Sequence, residues 1–488
     1  MAEIPEHDRA GGRVLAIGLD AAESSLIKSL IDAGEMPAMK ALLDRGTWSR
    51  VTGPTEWSSG CVWPNFHTGC QACDHGQYSI WNWDPAQMRL AYTDEERLTP
   101  FWKSLREQGT SVGVIDVPFS PFLGTTPGFD VHEWGAHSRV DGRVRISPGV
   151  AEEVAEGLPE HPFTDPLAQV PVEPDQYAGF LDECIEGVRL RGELATQLIS
   201  REQPDLSLVI FEEAHHAGHF LWHTVEPELP MYTDLPPVAV PERTLADLYR
   251  ELDRQVGRIV EAAGPETTVL VFALHGMGPS RGLPPVVEPL LEGLGMTYVE
   301  EGASHRSVLA TVKKLMPGPL RDLYRKSVPL AKRSQWGQDS VMPAYDWSRT
   351  TAFALPIEQY GIVRINLAGR EAEGIVPPEQ YDQVCETLEK EFLALTTADG
   401  RPVVSDVARP PRGAHAAGLP DMIVHWHPAA FESPAVVNGV EYPNIRRAQT
   451  GQHRWDGFCI ATGPAAEAIG DTIATEELHR VVVGALGR

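Results

Sequence analysis

Arg13-Val-Leu-Ala-Ile-Gly-Leu19, running straight into Asp20, is the stretch from which the fold class follows. A short apolar run without alternation suits a strand buried on both faces, as strands of parallel sheets are. Two helical patterns come next, over 23–33 and 37–45, each closed by a glycine. The same order recurs downstream. A helix over 100–108 leads into a strand over 111–117, and a long helix over 174–201 precedes the run 206–211. A helix over 242–263 then precedes the run 268–273. Alternating helices and buried strands predict an α/β protein with a doubly wound, mostly parallel sheet and helices on both faces. Residues 118–175, rich in Pro, Gly and acids, read as loops over the sheet edge, and strand signals return after Thr350.

The chain has 488 residues and reads as a flexible tail (1–12), one core (13–300 and 346–488) and a basic insertion or cap (301–345). A formal charge of −27 argues against a nucleic acid polymer or an anionic membrane face as partner. It leaves room for a small anionic or phosphorylated substrate, because a bound dication reverses the potential locally. No basic and apolar leader opens the chain, and no stretch approaches the ~18 apolar residues of a membrane span. Six cysteines in so long a chain make no disulfide framework. The lone Cys70-Gln-Ala-Cys73 lacks the second pair that a zinc or redox site wants. From these features a cytoplasmic location is expected.

Separate predicted strands end in metal-ligand residue types: Asp20, the pair His215 and His219, and His275. In open α/β sheets ligands bind beyond the carboxyl ends of the strands, so these groups converge although far apart in sequence. Four residues apart on a helix, His215 and His219 share a face and can bite one cation. Glu213 reaches the same ion if the chain is still extended there, whereas His216 and His223 fit supporting or surface roles. Ser59, in Ser58-Ser59-Gly60-Cys61-Val62-Trp63, is a poor nucleophile alone and a good one beside a dication.

With these residues in place, the chain resembles the alkaline phosphatase superfamily in its bacterial type I phosphodiesterase/nucleotide pyrophosphatase branch. Gly18-Leu19-Asp20-Ala21-Ala22 looks like the first metal-aspartate turn, continued by Met36-Pro37. Ser59-Gly-Cys-Val-Trp63-Pro-Asn-Phe-His-Thr68-Gly69 is similar to the nucleophile loop. There the attacking residue stands nine before the Thr of Thr-Gly, which selects Ser59 over Ser58. His219-Phe-Leu-Trp222-His223 and His275-Gly276-Met277-Gly278 match later motifs. So do Asn366 to Val376, Pro420 to Val424, and Gly451-Gln452-His453 with its last metal histidine.

The resemblance implies a phosphate-ester hydrolase, acting on phosphodiester or nucleotide-like substrates through Ser59, and two adjacent zinc ions. One ion would be held by an Asp, a His four residues on and the late His; the other by the first Asp, the nucleophile and both residues of Asp-His. Two positions depart: His215 and Leu274 stand where aspartates are expected. Three outcomes follow. Glu213 or Glu212 restores a carboxylate, the second ion is weak or absent, or the nitrogen-rich site takes iron, copper or manganese for non-phosphoryl chemistry. A non-catalytic protein with a decaying site is a further alternative. Trp81, Trp83 and the basic insertion are the candidate substrate contacts.

Overall fold

The computed structural model describes residues 12–54, 58–92, 95–124, 127–135, 144–163, 171, 176–232, 243–299, 328, 332, 335, 342–357, 359–413, 415–445 and 449–487. The basic segment 301–345 therefore lies almost wholly outside the described residues, as does nearly all of the tail 1–12.

Strand β1 (Val14–Leu19) is buried along its whole length. It is followed by α1 (Ser24–Asp32), α2 (Pro37–Asp44) and β2 (Gly46–Thr52). A 3₁₀ turn over Ser59–Cys61 opens α3 (Val62–Thr68). Then come β3 (Val112–Ile115), β4 (Gly128–His132), β5 (Arg145–Ile146), the long α4 (Tyr177–Glu202) and β6 (Leu206–Phe211). Helix α5 (Glu213–Leu221) leaves β6 directly, and α6 (Leu245–Ala263) returns the chain to β7 (Thr268–Ala273) and β8 (Gly276–Pro279). Helix α6 is positioned by one apolar stripe: Leu245, Leu248, Leu252, Val256 and Ile259 recur at helical spacing and are all buried.

Strands β9 (Ala352–Ala354), β10 (Gly361–Ile365), β11 (Val404–Ala408) and β12 (Met422–Trp426) form a separate antiparallel sheet in the order β9-β10-β12-β11, over a cluster of its own that includes Val363, Phe392 and Met422. The chain then re-enters the main body through β13 (Gly451–Arg454), β14 (Asp456–Thr462) and β15 (Thr472–Ala474). The main sheet has nine strands in the order β15-β2-β14-β7-β1-β6-β3-β4-β5. Strands β7, β1, β6, β3 and β4 run parallel, while β14 runs antiparallel to both its neighbours.

The sheet extends further than the reading of 118–175 as edge loops allows. Strand β4 pairs in parallel with β3, and β5 follows antiparallel. Asp130 and His132 interrupt its hydropathy, yet both are buried. Asp130 Oδ1 accepts from Arg106 Nη2 at 2.6 Å, and His132 Nε2 lies 2.7 Å from the Ser120 carbonyl. Polar residues satisfied inside the fold hid a strand from a hydropathy reading.

Candidate metal centre

Neighbouring parallel strands β7, β1 and β6 end side by side, and the groups that follow them form the site. Asp20 comes directly off β1, its backbone N–H bonded to the Phe211 carbonyl of β6 at 2.8 Å. Helix α5 starts two residues beyond β6 and carries His215 and His219. His275 follows β7, and His453 arrives on β13, paired with Met277 of β8. Ser59 stands at the 3₁₀ turn before α3.

These six residues meet. His215, His219 and His453 turn their Nε2 atoms together: His215 to His219 is 3.0 Å and His453 to His215 is 2.8 Å. The opposite nitrogen of each ring is committed. His215 Nδ1 donates to Asp20 Oδ2 at 2.6 Å, His219 Nδ1 donates to the Gly451 carbonyl at 3.0 Å, and His453 Nδ1 lies 2.6 Å from Ser59 Oγ. The Asp20 carboxylate and the Gly451 carbonyl only accept, so they hold the proton of His215 and His219 on Nδ1 and leave Nε2 with a lone pair facing inward. Nitrogen ligands around a tetrahedral zinc stand about 3.3 Å apart. This trio therefore fits a divalent ion.

Asp20 Oδ1 is also occupied. The Trp63 indole donates to it at 2.7 Å, and His275 Nε2 lies 3.7 Å away. The His275 ring stacks on that of His453, centroids 4.6 Å apart and planes 27° from parallel. Asp20, Ser59, His215 and His275 are buried, whereas His219 and His453 are partly exposed and form the lip. Burial, then the fields of His215, His275 and His219, hold the His453 pKa well below the usual imidazole range against the opposing pull of Asp20.

Close backbone approach permits this geometry at two glycines. A Cβ on Gly18 would lie 2.7 Å from the Trp63 ring, so only glycine lets that indole settle over the end of β1. A Cβ on Gly451 would lie 2.1 Å from the Gly218 carbonyl, and without one β13 presses on α5 closely enough for its carbonyl to meet His219.

Glu213 is not part of the cluster. Helix α5 begins at Glu213, so this residue is rotated about 200° from His215, onto the opposite face. There Glu213 Oε1 accepts from Arg191 Nε of α4 at 2.9 Å and sits 3.0 Å from His161 Nε2, all of them fully buried. Arg191 continues to the Asp116 carboxylate and to the Gly135 carbonyl, tying α5 to the ends of β3 and β4. Arginine charge and these bonds keep Glu213 ionised, its pKa below the ordinary value despite the opposing effect of burial.

Leu274 is buried in the apolar cluster with Trp63, Phe66 and Phe272, and brings no donor. His216 stacks on Phe163, and His223 Nδ1 lies 3.2 Å from Thr450 Oγ1, beside Gly451. Trp81 and Trp83 are buried, and Trp83 donates to Glu371 at 2.8 Å, which makes them core rather than substrate contacts. The sequence reading missed the role of Trp63. Its signal was its place four residues after Ser59, one helical turn on.

No curated protein sequence matches the chain. Among solved structures, phosphonoacetate hydrolase from Sinorhizobium meliloti 1021 in complex with phosphonoformate is similar at 13% identity and a TM-score of 0.53, covering 97% of this chain and 96% of that one. The same enzyme with phosphonoacetate gives 14% identity and a TM-score of 0.50, with coverage of 97% and 96%. Human ectonucleotide pyrophosphatase/phosphodiesterase 5 gives 13% and 0.48, over 97% of this chain and 95% of that one. The phosphonoacetate hydrolase matches show the shared alkaline-phosphatase-like fold. Residues 14–428 match the family model described as type I phosphodiesterase / nucleotide pyrophosphatase. Most of the chain is thereby accounted for, and it belongs to the type I phosphodiesterase/nucleotide pyrophosphatase family of metal-dependent phosphoester hydrolases.

Proposed function

We propose that this chain cleaves phosphodiester or nucleotide-like substrates, with Ser59 as the nucleophile and His215, His219 and His453 as the residues that would hold a divalent ion, zinc by family. One observation carries the reading: Ser59 Oγ lies 2.6 Å from Nδ1 of His453, whose Nε2 faces the other two imidazoles. When bound, the ion supplies positive charge that attracts phosphoryl oxygens and eases loss of a proton from a neighbouring hydroxyl.

The remaining work falls to the chain's own side chains. His453, with its proton held at Nδ1, donates to Ser59 Oγ and points the hydroxyl into the cleft. Ser59 gives up its proton to solvent as its oxygen attacks phosphorus in line; the bond to the leaving alkoxide breaks on the opposite side, and that alkoxide takes up a proton from solvent. Water then cleaves the phosphoserine ester, returning the serine hydroxyl and releasing the phosphate product. Asp20 keeps the His215 proton on Nδ1, and the Trp63 indole holds Asp20 in place. The buried floor limits water, and the partly exposed His219 and His453 leave an entry path.

Zinc-dependent hydrolysis of a chromogenic phosphodiester, abolished in Ser59→Ala without loss of bound zinc, supports this function. A second reading rests on the nitrogen-rich donor set: three imidazoles with a carboxylate nearby overlap the ligands of non-haem iron sites. Iron in anaerobically purified protein, with no diester cleavage after zinc loading, would favour that reading instead.

A further inference from the structure

We propose that the centre is built for one dication, held by His215, His219 and His453, and not for the adjacent pair that the family pattern implies. Among the described residues, these three form the group of metal-type side chains whose ligand atoms all lie within 4.8 Å of one another. A second ion would have to draw on Asp20, Ser59 and His275, and the oxygens of the first two are otherwise engaged. Asp20 gives Oδ2 to His215 and Oδ1 to the Trp63 indole. Ser59 Oγ is hydrogen-bonded to the outer nitrogen of His453. His275 lies flat against the His453 ring. The position before it, Leu274, is packed among aromatic side chains.

Charge points the same way. The carboxylate bonded into this cluster is that of Asp20, because Glu213 is turned toward Arg191. One dication against Asp20 leaves a single net positive charge. A second would triple it in a pocket where Asp20 is 1% and His275 2% exposed, and uncompensated buried charge is strongly unfavourable. His215 and Leu274 each stand where the family pattern has an aspartate. Together these changes remove two negative charges, as much as one dication carries, so a site with one ion fewer keeps its charge balance. In this arrangement Asp20 serves as the partner that orients His215. His275 is a positioning residue that backs the His453 ring.

The inference depends on the proposed function only in placing the activity at this cleft. The test counts metal on the full-length chain, stripped with a chelator and dialysed against buffered zinc. Native mass spectrometry and elemental analysis give the count, with His219→Ala as the blank for zinc on the acidic surface. One zinc per chain is expected in the wild type, with affinity weakened by about 100-fold or more in His219→Ala and by about tenfold, with the one ion still bound, in His275→Ala. Two zinc ions per wild-type chain, or loss of the ion in a folded His275→Ala variant, overturns the proposal. One ion without diester cleavage keeps this inference and removes the hydrolase reading. Two ions with Ser59-dependent cleavage does the reverse.

Discussion

Under the proposed function, removing the hydroxyl of Ser59 separates binding from chemistry. Because Ser59 touches His453 only through the outer nitrogen, Ser59→Ala is expected to lower kcat by about 10³-fold or more while zinc affinity falls by no more than about tenfold. Rapid kinetics and zinc titration on the same preparation check this. A different residue governs acid sensitivity. His67 is fully buried, its pKa lowered to about 3 chiefly by burial, and His75 and His223 are lowered to about 4 for the same main reason. Folded, these imidazoles stay neutral at a pH where the unfolded chain takes up protons. Their contribution is therefore complete above about pH 6.5 and is lost as the pH falls toward 3–4. Urea unfolding between pH 7 and 5 should show stability falling with acidification, and His67→Gln should reduce the average slope over that range by about 1 kcal/mol per pH unit. At this scale the sequence was informative where chemistry and position coincide. Asp20, His215, His219 and His275 carry ligand-type side chains at strand ends, and a parallel sheet aligns strand ends. It was uninformative where rotation decides: Glu213 is two residues past the strand, already in a helix, and faces Arg191.

Helix α5 depends on a buried bracket more than on its own propensity. Nine residues make too short a helix to stand alone in water, and its N-cap Glu212 makes no side-chain capping bond. Arg191 instead anchors its first turn through Glu213 while holding Asp116 at the end of β3. Arg191→Met is expected to destabilise the protein by about 3–5 kcal/mol, because it leaves buried carboxylates without their cation. The double variant Arg191→Met/Glu213→Gln should recover part of that loss, measured by denaturant unfolding in a double-mutant cycle. Gly451→Val tests the other side of the helix. By forcing β13 away from Gly218, it should weaken zinc binding about tenfold or more through His219 and His453, even where the fold survives. The helices and buried strands that frame the site were legible from period and length. Strand β4 was not, because Asp130 and His132 break its apolar run, and partners such as Arg106 and the Ser120 carbonyl reach them only once the chain is folded.

Across the whole molecule, the histidines that converge come from α5 and β13, so an ion there cross-links segments more than 230 residues apart. Ligand bound only by the folded state stabilises it by mass action, about 2.7 kcal/mol at 100 times Kd. Zinc at that excess should raise the thermal midpoint by several degrees, and His219→Ala should abolish the rise, as scanning calorimetry would show. A consequence for biosynthesis lies in the sheet order. Strand β14 (Asp456–Thr462) is wedged between β2 and β7, so β2 gains its neighbour on that side only after residue 462 has been made. At 5–20 residues per second a ribosome needs roughly 20–80 s to travel from β2 to β14. For that interval the β2 border stays open to mispairing with other nascent chains, joined by the β7 border once residue 273 has been made. Slow translation through the intervening segment should therefore favour aggregates, and holding chaperones should matter more for yield than the stability of the finished enzyme.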